Sequence, residues 1–113
     1  MLTSAADFDV VYFHPRLVEI IESWPADVLA DYVRLVGLML RHGPDLRLPW
    51  SRAMGQGLFE LRPRGQSLTC RVLYGFASDR TIVTVHAFTK KSRQTPDRDL
   101  RLARRRMKEW HRE

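Results

Sequence analysis

The stretch GLFELRPRGQSLTCRVLYGFASDRTIVTVHAF, residues 57–88, decides the fold of this chain. It holds three short runs rich in β-branched and aromatic residues, at 57–63, 67–77 and 81–88, which are separated by the turn-like breaks RGQ and SDR. Runs of this length and composition are typical of strands, and connections this short favour antiparallel neighbours. The stretch therefore predicts a three-stranded antiparallel meander.

A strand and two helices are predicted before the meander. The strand is FDVVYF, residues 8–13, which is β-branched and aromatic. HPRLVEIIESW, residues 14–24, has apolar residues at helical spacing, and Pro25 separates it from a second, strongly amphipathic helix that ends at Gly43. PDLRLPWSRAMGQ, residues 44–56, shows no periodicity and is predicted to be a connecting loop.

A third helix is predicted after the meander, in TPDRDLRLARRRMKEWHRE, residues 95–113. Thr95 has the position of an N-cap and Pro96 that of a first helical residue, and arginines surround a narrow apolar stripe farther along. The resulting order, β-α-α-β-β-β-α, predicts one α+β domain over residues 1–113, with helices packed on one face of a small antiparallel sheet.

The composition is that of an ordinary globular protein, with 44% hydrophobic and 28% charged residues. The single cysteine, Cys70, excludes an intrachain disulfide. The amino-terminal MLTSAADFDV lacks the pattern of a signal peptide, and no apolar run approaches the length of a membrane span. We therefore expect a soluble, cytoplasmic protein.

Charge is distributed unevenly along the chain. Residues 1–46 hold three arginines against seven acidic residues, whereas residues 47–113 hold sixteen lysines and arginines against six acidic residues. A basic half of this kind suggests a polyanionic partner, with nucleic acid as the first candidate. The alternative is a solvated surface that happens to be rich in arginine.

Two arginines are predicted to project from the same face of adjacent meander strands. Side chains alternate between the faces of a strand, which separates Glu60 and Arg62 from the apolar face of residues 57–63. The same alternation separates Arg71 from the apolar face of residues 67–77. A phosphate site and an ion pair between Arg71 and Glu60 are the two interpretations of this pattern.

HAFTKKSRQTP, residues 86–96, places a block of cations where the last strand ends. Guanidinium groups bind phosphate oxygens bidentately, and lysine adds a mobile point charge. Lys90, Lys91 and Arg93 therefore form either a phosphate clamp together with the strand arginines or a solvated turn.

His86 has two open interpretations. If alternation holds, it shares a face with Thr84 and Phe88, opposite Val83 and Val85, where it is either a catalytic group near the arginines or a structural histidine. The sequence has no Cys/His/Asp cluster of metal-ligand form, and no P-loop, G-x-S-x-G or GxGxxG motif. It therefore indicates neither a metal site, nor a nucleotide cofactor, nor an acyl-transfer triad.

GLFELRP, CRVLYGF, HAFTKKSRQTP and ARRRM together resemble the signature of the RelE/ParE toxin superfamily, most of all its HigB-like, phage-derived branch. In that branch a strand G-L-W-E-L-R precedes Y-R-V-x-Y and then H-x-F-x-K-K-x-x-x-T-P. This chain departs from the pattern at Phe59 and Cys70, which replace a tryptophan and a tyrosine. The resemblance implies the toxin of a type II toxin–antitoxin system, with the RelE-like fold of a small antiparallel sheet, two amino-terminal helices on one face and a carboxy-terminal helix.

The resemblance also implies an activity, namely ribosome-dependent mRNA cleavage without a metal or other cofactor. In such mRNA interferases the 2′-hydroxyl attacks its own phosphodiester and leaves a 2′,3′-cyclic phosphate. Carried over by motif, Arg71 stabilises the transition state, Arg62 binds the neighbouring phosphate, and Lys90 is a phosphate ligand or proton-transfer group. His86 is a further catalytic candidate, whereas a general acid is not identified. The candidate RNA- and phosphate-binding residues are Lys91, Arg64 and Arg93.

The implied partners are a helix-turn-helix antitoxin, mRNA and the ribosome. Two other functions remain open from the residues and the resemblance. One is inhibition of DNA gyrase, as in ParE-like members of the superfamily. The other is non-catalytic nucleic-acid binding, in which the basic helix at 101–112 lies along a phosphate backbone.

Overall fold

The computed structural model describes residues 8–91 and 93–112. Residues 1–7, on which the expected absence of a signal peptide rests, lie outside the described residues. The elements, in chain order, are β1 (Asp9–Tyr12), α1 (Pro15–Glu22), α2 (Ala26–His42), a 3₁₀ turn (Gly43–Asp45), β2 (Ser51–Gly55), β3 (Leu58–Leu61), β4 (Cys70–Ala77), β5 (Thr81–Thr89) and α3 (Asp97–Arg112). In the described part of the chain, the helices lack the length and apolar character that a membrane span requires.

One five-stranded sheet, in the order β1-β5-β4-β3-β2, forms the middle of the molecule. Strands β2 to β5 form an antiparallel meander, which confirms the predicted α+β class. The prediction of a wholly antiparallel sheet is wrong, because β1 pairs with β5 in parallel. The prediction of a loop over residues 44–56 is also wrong in part. β2 lies within that segment and pairs with β3 at the edge of the sheet.

The helices α1 and α2 cover one face of the sheet, as predicted. The second helix turns its apolar stripe toward the sheet because Val28, Leu35 and Met39 recur at helical spacing. Facing them are alternate strand residues, of which Leu61 and Val72 are almost fully buried. This larger core fixes the faces of β3 and β4 and therefore directs Glu60 and Arg71 to the other side.

The third helix packs on the opposite face, which corrects the prediction that all helices lie on one side. Its core residue is Ala103, which is fully buried. The strand residues under α3 are Leu58, Leu73, Val83 and Val85. The sheet is apolar on both faces, so it needs helices on both.

A bulge in β5 changes the predicted face of His86. In the register of β4 with β5, Leu73 lies opposite His86, whereas Tyr74 lies opposite Thr84, so Val85 is the extra residue. Partners in a ladder share a face, and His86 therefore lies on the α3 side, together with Val85. The prediction that it shares a face with Thr84 is wrong, because a bulge shifts the alternation by one residue.

The loop between β3 and β4 is held against the start of α2. The carboxylate of Asp27 accepts hydrogen bonds from the backbone N–H groups of Gln66 (2.8 Å) and Ser67 (3.3 Å), and these bonds hold its pKa below the usual range. One turn later, Asp31 accepts a bond of 2.6 Å from the backbone N–H of Arg64. These contacts fix the segment that follows Arg62.

Candidate phosphate-binding cleft

A cleft lies where β3 ends, β4 begins and the chain leaves β5. It has a volume of about 460 Å³. Its lining residues are Arg62, Thr69, Arg71, Lys90, Lys91 and Arg93, and we call it the cationic cleft. Five cationic side chains from β4, from the segment after β3 and from the segment after β5 therefore line one concave site.

Arg71 is the most firmly held cation of the cleft. It is buried in β4, with 8% exposure, and its Nη1 donates a hydrogen bond of 2.8 Å to the carbonyl of Cys70. Burial lowers the pKa of Arg71, and the nearby charge of Arg62 lowers it further, while Glu60 opposes both effects. Arginine stays charged at neutral pH despite such a shift. The site therefore contains a fixed positive charge.

Glu60 holds the cations together. Its carboxylate is 1% exposed, and Oε1 lies 3.4 Å from Arg62 Nη1 and 3.6 Å from Arg71 Nε. The hydroxyl of Thr95 donates a hydrogen bond to the other oxygen, Oε2. The ion pair between Arg71 and Glu60, which was the alternative interpretation of the sequence pattern, is therefore present, and it lies beneath the cleft. In this pair Glu60 faces the buried Nε of Arg71, which has no hydrogen-bond partner among the described residues, and Arg71 still lines the cleft.

Lys90 is buried at the end of β5, which is unusual for a lysine. Its Nζ donates a hydrogen bond of 2.5 Å to the carbonyl of Arg93, and its backbone N–H donates to the carbonyl of Thr69. Burial and the neighbouring cations, Arg71 first among them, lower the pKa of Lys90, while Glu60 raises it. Such an amine loses its proton more readily than an ordinary lysine.

Arg64 lies next to the cationic cleft, in a second pocket of about 320 Å³. The residues around this pocket are Leu48, Pro49, Arg62, Pro63, Arg64 and Arg71, and we call it the apolar-walled pocket. Arg62 and Arg71 line both cavities, so the two are neighbours.

The structure places His86 in neither cavity. Its Nε2 lies 2.7 Å from Asp99 Oδ1 at the start of α3, and its ring stacks on Phe88 with 5.2 Å between the centroids. These contacts join the end of β5 to α3. They match the structural interpretation of this histidine rather than a place among the cleft residues.

Three polar contributors to the site are absent from the sequence predictions. Thr69 lines the cleft from the loop before β4, and Arg52 lies across from Glu60 in the missed strand β2. Thr95, predicted as an N-cap, contacts Glu60 instead, and α3 begins at Asp97. In all three cases the contact depends on how loops and edge strands meet, which no local pattern encodes.

A family model described as "Phage derived protein Gp49-like (DUF891)" matches residues 19–108. The chain belongs to this Gp49-like family. The match includes every lining residue of the cationic cleft and of the apolar-walled pocket. No curated protein matches the chain significantly.

The fold of this Gp49-like protein is shared with a solved structure. The structure is that of an archaeal RelE–RelB complex from Pyrococcus horikoshii OT3, with a TM-score of 0.55 and 18% identity. The alignment covers 78% of this chain and 99% of the other. The family and the fold together confirm the resemblance to the RelE/ParE superfamily.

The cleft of the Gp49-like protein is suited to phosphate chemistry. Several hydrogen-bond donors with positive charge face one concavity, and the nearest carboxylate, Glu60, is buried below them. Within residues 8–91 and 93–112, no three His, Cys, Asp or Glu side chains come close enough together to hold a metal ion. The arrangement can bind a phosphodiester and stabilise additional negative charge on it.

Proposed function

We propose that this Gp49-like protein is the toxin of a type II toxin–antitoxin pair and cleaves mRNA on the ribosome. The observation that carries the proposal is the position of Arg62, Arg71 and Lys90 around one cleft. The residues that the resemblance assigns to phosphate chemistry are thus neighbours in space. A merely solvated basic surface has no reason to bury Arg71 and Lys90.

The proposed reaction is an internal transfer at phosphorus. The 2′-hydroxyl of the RNA loses its proton and attacks the adjacent phosphorus, and the bond from phosphorus to the 5′-oxygen of the next nucleotide breaks. The products are a 2′,3′-cyclic phosphate and a 5′-hydroxyl, which takes up a proton. Arg71 and Arg62 stabilise the extra charge of the pentacoordinate phosphate, because their guanidinium groups are positioned in advance.

Lys90 has the second role in this proposal. As an ammonium group it binds a phosphate oxygen, and its lowered pKa also suits it to give a proton to the leaving 5′-oxygen. Lys91 and Arg93, which are exposed at the rim, bind neighbouring phosphates of the RNA. His86 is not assigned a step, since it contacts Asp99 and lies outside the cleft.

The proposed partner is a helix-turn-helix antitoxin in the same cytoplasm. Support comes from the structural neighbour, which was solved as a complex of RelE with RelB. An acidic antitoxin segment would complement the basic residues 47–113 of this chain.

Purified Arg71→Ala tests the reaction on ribosome-bound mRNA. Loss of one preorganised charge should lower the cleavage rate by about a hundred- to a thousandfold. Arg41→Ala is the matched control, because Arg41 is exposed at the end of α2 and lines neither cavity. Arg71→Lys keeps the charge but loses the planar fork, and should still lose at least about tenfold. Circular dichroism shows whether Arg71→Ala is folded. If it is not, Arg71→Lys, which keeps the buried charge, still tests the role of the guanidinium group.

Cleavage by Arg71→Ala at the wild-type rate would refute the assignment. Induction in cells separates the other functions, with mRNA ends mapped and DNA-damage signalling measured in the same culture. Damage signalling without new mRNA ends would favour a gyrase target. Salt-sensitive RNA binding with intact mRNA, even with ribosomes present, would favour a non-catalytic binder.

A further inference from the structure

Most of the exposed large hydrophobic side chains in the described residues lie on the loops that precede β2 and β4. Of the four large hydrophobic residues exposed in the described part of the chain, Leu48 and Trp50 lie in the loop before β2, and Leu68 lies in the loop before β4. Only Val33, on α2, lies elsewhere. Scattered single residues of this kind need no explanation, but Leu48 lines a pocket that Arg62 and Arg71 also line.

The apolar-walled pocket combines the two surfaces that a nucleotide needs. Its lining combines three apolar residues, Leu48, Pro49 and Pro63, with Arg62 and Arg71, which also line the cationic cleft. Its volume, about 320 Å³, is at the lower end of the range of roughly 300–1,000 Å³ for small-molecule sites. A phosphate bound between the arginines would therefore have an apolar surface next to it.

Backbone hydrogen bonds fix the apolar wall relative to the arginines. The backbone N–H of Arg62 donates to the carbonyl of Trp50 at 2.9 Å, which joins the segment of Arg62 and Pro63 to the segment that follows Leu48 and Pro49. The turn around Leu48 is closed by bonds from the backbone N–H groups of Trp50 and Ser51 to the carbonyl of Arg47. The pocket is therefore formed before any ligand arrives, so binding need not order it.

We propose that the apolar-walled pocket binds the base of the nucleotide adjacent to the phosphate in the cationic cleft. In this role, which rests on the proposed RNA substrate, Leu48 and Pro49 contact the face of the base and Arg64 lies at its edge. The base preference of the protein then comes from this segment rather than from the catalytic cations. Purines should bind more tightly than pyrimidines, because their larger faces bury more apolar surface against Leu48 and Pro49.

Trinucleotides of 2′-O-methyl RNA test this pocket, since they lack the hydroxyl that attacks and cannot be cleaved. Affinities are measured by fluorescence anisotropy for an all-purine trinucleotide and for versions in which one base at a time is removed. In the wild type, loss of the base at one position should weaken binding about tenfold, and at the other two positions much less.

Leu48→Ser should abolish most of that tenfold difference while leaving the affinity for the corresponding abasic RNA unchanged. Leu48 is 59% exposed, so the substitution does not disturb the core. Val33→Ser is the matched control, since Val33 is 63% exposed and lies on α2 away from both cavities, and it should behave as the wild type.

Three results would overturn the pocket: equal losses at all three positions, no difference between Leu48→Ser and Val33→Ser, or no measurable binding of any trinucleotide. A protein that cleaves mRNA and gives one of these results keeps its proposed function and loses only the pocket. The protein could instead leave mRNA intact and still bind RNA with a dependence on the base at one position. That result would refute the proposed nuclease reaction and support the base-binding pocket.

Discussion

At the scale of single residues, the arrangement of the cleft depends on Glu60. A carboxylate with 1% exposure is costly to bury unless it is paired, and Glu60 has Arg62, Arg71 and Thr95 as partners. In return, its negative charge offsets the repulsion between the two guanidinium groups. Two arginines can therefore lie close together without a bound anion, and they still outnumber the one carboxylate beneath them.

Lys90 gives a prediction about pH. Because its pKa is lowered, it loses its positive charge at a lower pH than the usual 10.5 of a lysine. Affinity for 2′-O-methyl oligoadenylate, whose bases do not ionise in this range, should therefore fall as the pH rises from neutral toward the usual lysine pKa of 10.5. The expected loss is about tenfold, the order of one charge-assisted hydrogen bond.

The matched variant is Lys90→Arg, because a guanidinium group keeps its charge throughout this range. Its affinity should stay level where that of the wild type falls, in the same anisotropy titration at each pH. If both proteins lost affinity in parallel, the titrating group would be another residue, and Lys90 would have no role as a phosphate ligand.

At the scale of elements, the loop between β3 and β4 depends on a close approach to α2. A Cβ atom at Gly65 would lie 2.5 Å from Cγ2 of the buried Val28 and 2.9 Å from a carboxylate oxygen of Asp27. Gly65→Ala should therefore force the loop away from the helix and lower the free energy of unfolding by about 1–3 kcal/mol. Urea unfolding followed by circular dichroism measures this change.

Gly37→Ala is the control for that experiment. Gly37 lies within α2, and a Cβ there would have no neighbour within 4 Å. Alanine is the better helix former, so this variant should raise the free energy of unfolding by about 0.5–1 kcal/mol. Opposite signs at the two glycines are expected, and a neutral Gly65→Ala would mean that the loop is not held as described.

Most elements were predictable because their patterns are local. The predicted bounds of these elements lie within a few residues of the observed ones. They were predicted from the apolar stripe of α2, the breaks at Pro25 and Gly43, and the short turns of the meander. Strand β2 was missed because an edge strand is paired on one side only. Its middle residues, Arg52 and Ala53, are exposed and show no alternation.

The covering of the second face of the sheet by a helix was predictable from the sequence of β4. CRVLYGFA, residues 70–77, is nearly continuously apolar, and such a run is typical of a strand covered on both faces. Arg71 interrupts this run, but Leu73 continues it on the face that packs against α3. The bulge at Val85 was not predictable in the same way, since it appears only when β5 is paired with β4. For that reason His86 was grouped with Thr84 and separated from Val85, whereas its shared face with Phe88 was predicted correctly. Arg62 and Arg71 were also correctly placed on one side.

At the scale of the whole molecule, the basic residues of the second half of the chain are found on two surfaces. The cationic cleft and the basic helix α3 both belong to residues 47–113, but they are separate surfaces, and either is able to attract RNA. The dependence of affinity on salt distinguishes them, because each phosphate contact with a single strand adds about 0.7 to the slope of log K against log salt.

Lys91 and Lys108 are a matched pair for this measurement, since both are exposed lysines, one at the rim of the cleft and one on α3. Lys91→Ala should weaken binding of 2′-O-methyl RNA at low salt and make the slope shallower by about 0.7. Lys108→Ala should change neither quantity beyond the small effect of one unit of net charge. The reverse result, a shallower slope for Lys108→Ala alone, would place the RNA along α3 and favour a binding protein over a nuclease. The same salt series therefore locates the RNA on the molecule without relying on catalysis.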